Sequence, residues 1–271
     1  MSLGRVLRNG TVAVLAVLWL IPTWLLVVNA LVPSESYSGG PHWLPEGFGL
    51  FDNMSQAWDQ AHVGPALANS LLYAVVSALA AVVVASFAAF ATVVMPVRRR
   101  VLWFWVIYSG TLLPLQVFIR PLFLSYAKSS LYDTQIGLVL IYAAIAIPFA
   151  FFVMRNYALT LPREVVEAAR MDGASWWRLF WRIHVPLTRS AMIAVFVFQF
   201  VAVWNDLMFG ITLTTSRNIR PIMAALADLQ GNYSNVGPPV VLAGALLVSL
   251  PTLVLFFSAQ RFFVSGLKIH R

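Results

Sequence analysis

The chain has 271 residues, of which 60% are hydrophobic and only 10% charged, and its mean hydropathy is +0.80. A water-soluble domain carries about 25% charged residues, so hydrocarbon is the expected solvent for much of this surface. There is no Cys, which excludes disulfides, thiolate nucleophiles and thiolate metal sites, and a net charge of +8 raises nucleic acid as a partner until the placement of the charges is considered.

Taken in order, apolar runs of spanning length lie at 11–32, 67–95, 102–125, 136–154, 190–213 and 239–260. Each supplies the roughly 20 residues that cross a hydrocarbon core, so six transmembrane helices and an all-α integral membrane fold are expected. The first run follows Arg5 and Arg8, as a secretory signal would. It is long for such a signal and no small-x-small cleavage site follows it, so a retained anchor is expected. This divides the chain into an N-terminus at 1–10, a first span and loop at 11–66, a core at 67–262 and a tail at 263–271. The loop 33–66, rich in Pro, Gly, Ser and Trp, predicts turns and short surface helices. The third run is interrupted by Pro114, Gln116 and Arg120.

With the N-terminus placed in the cytoplasm, fourteen of the eighteen Lys and Arg fall on the cytoplasmic side of these six spans. Arg120, Lys128, Arg217 and Arg220 remain outside. The positive-inside rule therefore predicts that both termini are cytoplasmic. Topogenesis and lipid phosphate explain the basic balance, and no nucleic-acid partner is expected.

The longest predicted cytoplasmic insert is 155–189, and it reads as two helices. The first begins near Thr160 to Pro162, since Pro is accepted in a first turn, and Glu164 and Glu167 suit the positive end of its dipole. Leu161, Val165, Ala168 and Ala169 share its apolar face at helical spacing. Gly173 suits a left-handed C-terminal position, and Ser175 can cap the second helix. There Trp176, Leu179, Phe180 and Ile183 form a stripe with Arg178 and Arg182 off it. Pro186 marks an end or a kink before the fifth span. Two uses fit this hairpin. Its Trp residues and basic underside suit rest on anionic headgroups. Its small Ala168 and Ala169, with Glu167 beside them, suit insertion into a cleft of a protein partner.

Polar residues inside apolar runs form a second set. Trp204, Asn205 and Asp206 lie in the fifth run, where a carboxylate must face protein or water. They are read either as a polar wall of a translocation path, with Trp204 stacking on a solute, or as a structural hydrogen-bond group. Gln199 and Gln116 join the list of path candidates, while Arg120 reads as a snorkelling side chain. His42, His62, His184 and His270 lack metal-ligand spacing, and no Ser-His-Asp or paired-carboxylate set is present. Neither a metal site nor catalysis is expected.

The residue order in the hairpin adds a further reading. Glu167-Ala168-Ala169, three residues, Gly173, nine residues, Ile183, one residue, and Val185-Pro186 resembles the EAA signature of permease subunits in binding-protein-dependent ABC importers. Val185 stands where that signature has Leu. The stretches MRNYALTLPREVVEAARMDGAS, NSLLYA at 69–74, LLPLQVFIRPLF at 112–123, IPFAFFVMRNY at 147–157, VWNDLMFG at 203–210 and AQRFFVSGL at 259–267 are similar to the carbohydrate branch, in particular the smaller six-span subunit of a maltose-type pair. The likeness runs from about residue 67 to the C-terminus, whose short ending LKIHR departs from the family's longer tails.

The resemblance implies a type I importer permease fold with a cytoplasmic coupling helix, in a bacterial inner membrane. It also implies a second permease subunit, two ATPase subunits and an extracytoplasmic solute-binding protein as partners. The chain itself has no G-x4-G-K-[ST] phosphate loop, so no cofactor is expected in it, and ATP and Mg would be bound by the ATPases. Carried over residue by residue, Glu167, Ala168, Ala169, Asp172, Gly173, Ile183 and Pro186 would form the ATPase-coupling element. The implied solute is a sugar, with a polyol or glycerol phosphate as alternatives; a stand-alone secondary transporter is the remaining alternative, and the EAA insert speaks against it.

Overall fold

The computed structural model describes residues 3–231 and 236–267, without the side chains of Leu3, Val6 and 261–267. The end of the expected tail, with Lys268, His270 and Arg271, lies outside the described residues, as does the side chain of Arg261. All regular structure among the described residues is helical. Five helices are long and apolar enough to cross a membrane, and a bent pair makes a sixth crossing if it is one span. The chain divides into two compact units: one of residues up to Gly64 with Ala225–Leu250, the other of Pro65–Ala224 with the residues from Pro251 on.

The first unit opens with α1 (Leu3–Leu31), whose spanning stretch is nearly bare of protein contact. Such an apolar surface suits lipid or the face of another membrane subunit. The loop after it holds a short α2 (Leu50–Gln60), as the turn-rich composition predicts. Buried Asn53 pins α2 to the end of α1 by donating to the carbonyls of Ala30 and Val32 at 3.0 and 2.8 Å. The Asn29 side chain closes the loop, accepting from the His42 amide at 2.8 Å and donating to its carbonyl at 2.9 Å.

The second unit is built on α3 (Val63–Val93), which carries a stripe of small residues. Ala81, Ala85 and Ala89 pack with Ala146, Ala150 and Met154, and with Ala191 and Val195. Small side chains let helix backbones approach closely where no water drives association. Along this stripe α3 meets α6 (Gln135–Ala158) and α9 (Val185–Trp204), which also pack on each other.

Two of the six predicted spans are not simple helices. The run 102–125 is broken into α4 (Arg100–Tyr108), extended by a 3₁₀ turn to Thr111, and α5 (Ile119–Lys128), preceded by a 3₁₀ turn from Leu115. The two halves meet at 82°. The break falls at Pro114, which is extended at ψ 122° and has no N–H to continue the ladder. Gly110 beside it lies so close to α6 that a Cβ there would stand 2.7 Å from Cγ of Pro148.

The fifth span is displaced relative to the run 190–213. A continuous helical rod runs from Trp176 to Trp204, comprising α8 (Trp176–Leu179), a π-helical turn Phe180–His184 and α9. Pro186 neither ends nor interrupts it. In a straight α-helix its ring would meet the carbonyl of Arg182, and the wider π turn lies over those residues. The rod stops instead at Trp204, and a new short helix, Met208–Leu213, follows after Asn205 to Leu207. The loop beyond carries a 3₁₀ turn at Arg217–Ile219 and the helix Ile222–Asp228, before the last span Pro238–Leu267.

Candidate functional site

Between α6 and the rod lies the polar hairpin. Its first helix, Arg163–Met171, starts directly after Pro162, which is extended at ψ 126°. Glu164 stands in its first turn and Arg170 in its last, both favourable to the dipole. Gly173 adopts φ +76°, the left-handed turn expected of it. Its amide reaches the Arg170 carbonyl at 3.1 Å, and the Ala174 amide reaches that of Ala169 at 3.0 Å. Ser175 then caps the rod, its hydroxyl accepting from the Arg178 amide at 3.3 Å.

The hairpin is held to the spans by an aromatic cluster. Ala174, Leu179 and Phe180 are buried with Phe90, and Val166, Ala169, Trp176 and Ile183 pack around them. Phe87 stacks on Phe180 with centroids 4.1 Å apart, and Phe90 meets both Phe180 and the ring of buried His184 edge-on. The stripe Trp176, Leu179, Phe180 and Ile183 is thus the inward face, with Arg178 and Arg182 exposed.

On the first helix the inward face coincides with the predicted one at Ala169 but not at Val165 and Ala168. Val166 and Ala169 point into the cluster, whereas Val165 and Ala168 are exposed. Adjacent valines at 165 and 166 make the apolar side ambiguous in sequence, and the aromatic cluster selects the second. Ala169 therefore serves the hairpin's own packing, and is not an outward contact. Glu167, Ala168 and Asp172 are exposed, together with Met171, which is 82% exposed. A cleft of about 210 Å³ lies behind this edge, lined among others by Arg100, Leu161, Glu167, Ile183 and His184.

The second candidate set gathers at the other end of the rod. Asp206 Oδ1 accepts from the Tyr142 hydroxyl at 2.9 Å and from the amides of Phe209 and Gly210 at 3.0 and 3.3 Å. It therefore opens the short helix 208–213 and ties it to α6, which explains why the run breaks here. Trp204 is 2% exposed, its ring stacked on Phe200. It cannot offer a face to a solute in this conformation, contrary to one of the two readings. Gln199 is likewise buried and donates to the Ala146 carbonyl at 3.1 Å, which places it in helix packing and not on a wall. Asn205 and Gln116 are exposed, and Asn205 donates to the Val201 carbonyl at 2.9 Å.

Asn69 and Ser70, which read in sequence as helix-packing residues, and Tyr73, which the sequence does not single out, knit the loops at this end. Asn69 donates to the Asn218 carbonyl at 2.8 Å, Tyr73 to that of Ile219 at 2.7 Å, and Ser70 accepts from the Ile222 amide at 2.7 Å. Asp133 sits at φ +56° and accepts from the Thr215 and Ser216 amides at 2.7 and 2.9 Å and from the Ser216 hydroxyl. Burial raises its carboxyl pKa, but the hydrogen bonds from Ser216 and Thr215 together outweigh this and hold it below the ordinary value. Among the described residues no three His, Asp or Glu gather in a way that could hold a metal ion.

Five candidate spans, or six if the bent pair is one, and a polar helix-turn-helix insert define an integral membrane protein. Residues 81–268 match the family of binding-protein-dependent transport system inner membrane components, and the chain belongs to that family. It is a non-catalytic, multi-pass inner membrane permease.

Among its relatives is the osmoprotective compounds uptake permease of Synechocystis sp., 32% identical over 93% of this chain and 87% of that one. The sn-glycerol-3-phosphate transport system permease of Yersinia pestis is 32% identical over 92% of this chain and 90% of its own. The diacetylchitobiose uptake permease of Streptomyces coelicolor is 28% identical over 91% and 83%. In fold, the chain resembles a bacterial ABC transporter that imports alginate, with a TM-score of 0.76 at 20% identity and 95% of each chain covered.

Proposed function

We propose that this chain forms half of the translocation pathway of an ATP-driven importer for a sugar or sugar-like solute. Its partners are a second permease subunit, two ATPase subunits and an extracytoplasmic solute-binding protein. Both termini and the hairpin 155–189 lie in the cytoplasm, in line with the basic residues that flank them. The helix 163–171 docks on an ATPase through Glu167, Ala168, Met171 and Asp172, while Gly173, Ala169 and Ile183 hold its shape.

The observation that carries this reading is the exposed edge of that helix. It presents two carboxylates, a small residue and a bare methionine outward, on a hairpin whose other face is fixed by packed aromatics. The start of the rod does expose Trp177, Arg178, Trp181 and Arg182, a face suited to headgroups. Glu167 and Asp172 on the edge of the first helix, however, would repel anionic lipid, so that edge suits a protein partner. The rod that begins at Trp176 is unbroken for 29 residues, or about 43 Å at 1.5 Å per residue. Movement of the hairpin by a closing ATPase therefore reaches Asn205 and Asp206 without a hinge. That is the physical route from nucleotide to solute access.

A carbohydrate-like solute is supported by the relative named for diacetylchitobiose uptake. One relative is named for sn-glycerol 3-phosphate, which favours a phosphate ester as the second reading. The test is co-purification of the ATPase in mild detergent with wild-type chain and with Glu167→Arg, followed by uptake of diacetylchitobiose, a disaccharide panel and sn-glycerol 3-phosphate. Loss of ATPase from the variant is expected. Retention of the ATPase, or uptake without it, would overturn the docking assignment.

A further inference from the structure

The turn of the hairpin is fastened by a residue that no motif singles out. Arg170 lies in the last turn of the helix 163–171, three residues before Gly173. Its guanidinium Nη1 donates to the Ala174 carbonyl at 2.7 Å, and its Cζ stands 4.2 Å over the ring of Trp176. Both contacts cross the turn. One holds the first residue after Gly173, the other holds the first residue of the rod. The other fastenings are backbone bonds, the weak 3.3 Å cap at Ser175, and the packing of Val166 and Ala169 on the apolar cluster of Ala174, Leu179 and Phe180. Gly173 itself has nothing within 4 Å of where a Cβ would stand, so side-chain packing does not secure the turn at its tip.

We propose that Arg170 is a positioning residue for coupling: it locks helix 163–171 to the rod, so that force applied at the docking edge is delivered to the span and not absorbed at the turn. The inference rests on the coupling reading above. A guanidinium suits this place because it is planar, stacks on indole and keeps donors in a fixed fork. A lysine keeps the charge over the ring and one donor, and so retains part of the lock.

Without Arg170 the docking edge is intact, since Glu167, Ala168, Met171 and Asp172 are untouched. The turn, however, opens more often, on the order of tenfold for loss of one charge-assisted hydrogen bond. The predicted defect is therefore in transmission, with assembly preserved.

Because the chain has no Cys, a single reporter can be introduced at exposed Asn205. The complex carrying Asn205→Cys is assembled with its ATPases in proteoliposomes, and a polar maleimide labels that thiol with and without ATP-Mg. Wild-type background is expected to show a labelling rate that ATP changes by about fivefold or more, the lower end of ordinary coupling between sites. Arg170→Ala should retain the ATPases and lose that response, and Arg170→Lys should restore most of it.

A full ATP response in Arg170→Ala overturns the lock while leaving the coupling reading intact. Loss of the ATPases from Arg170→Ala also overturns it, since Arg170 would then belong to docking. No ATP response in the wild-type background would sink both.

Discussion

Asp206 concentrates three hydrogen bonds on one oxygen, and together they join two pieces of chain: α6 through Tyr142, and the first turn of the following helix through two amides. Its removal leaves the Tyr142 hydroxyl buried without a partner, since that residue is 1% exposed. Leaving such a group unpaired costs about 1–3 kcal/mol. Asp206→Ala should therefore lower the thermal midpoint of the detergent-solubilised protein. Asp206→Asn, whose amide oxygen still accepts, should lower it less. Equal melting of both variants and the wild type would mean that the carboxylate is not a brace, and would return it to the solute path.

Asp133 does similar work between two loops, and its charge makes the effect pH-dependent. Its folded carboxyl sits below the ordinary value, so it contributes stability that is present above the unfolded pKa and is lost as pH falls through the folded one. The gap in melting temperature between wild type and Asp133→Asn should be open at neutral pH and close below about pH 4, near the ordinary carboxylate pKa. A gap that persists unchanged in acid would count against this role.

Elements were legible in proportion to how local their causes are. The hairpin turn was readable because Gly173 and Ser175 act through their own backbone conformation and side chain. The bend at Pro114 was half-readable: a proline in an apolar run announces an interruption, but not its size. The break after Trp204 was not readable as such. Asp206 starts a new helix only because Tyr142, 64 positions earlier, completes its environment, and hydropathy averages over three interrupting residues. The continuity of the rod through Pro186 was missed for the converse reason, since the π turn that accommodates the proline leaves no mark on the apolar pattern.

Gly173 tests the hairpin as an element. Its φ of +76° disfavours a side chain on backbone grounds alone, by about 1–2 kcal/mol, although the space around it is open. Asn, which tolerates the left-handed region, separates the two costs. Gly173→Asn should keep the hairpin and the associated ATPase, whereas Gly173→Trp should insert in the membrane, place a bulky ring beside the docking edge and abolish uptake. Normal uptake by Gly173→Trp would remove the turn from the coupling interface.

At the scale of the whole molecule, orientation decides whether any of these roles can exist. A helix that docks on an ATPase must be cytoplasmic, and the hairpin reaches that side only if the bent pair 100–128 is counted as one crossing. If α4 and α5 were instead a re-entrant loop, Lys128 and the hairpin would exchange their relation across α6. The charges argue for one crossing: Arg98, Arg99 and Arg100 precede the bend, a lone Lys128 follows it, and six Arg fall between 155 and 189. A re-entrant loop would put Arg98 to Arg100 and the hairpin on opposite sides of the membrane, against the retention of basic residues inside.

The absence of Cys makes the test direct. In sealed, right-side-out vesicles a membrane-impermeant maleimide should label Lys128→Cys at once, and should label Met171→Cys and Arg99→Cys only after permeabilisation. Labelling of Met171→Cys from outside would invert the hairpin and end the ATPase-docking reading. Protection of both Lys128→Cys and Arg99→Cys, with Met171→Cys open, would identify the bent pair as re-entrant.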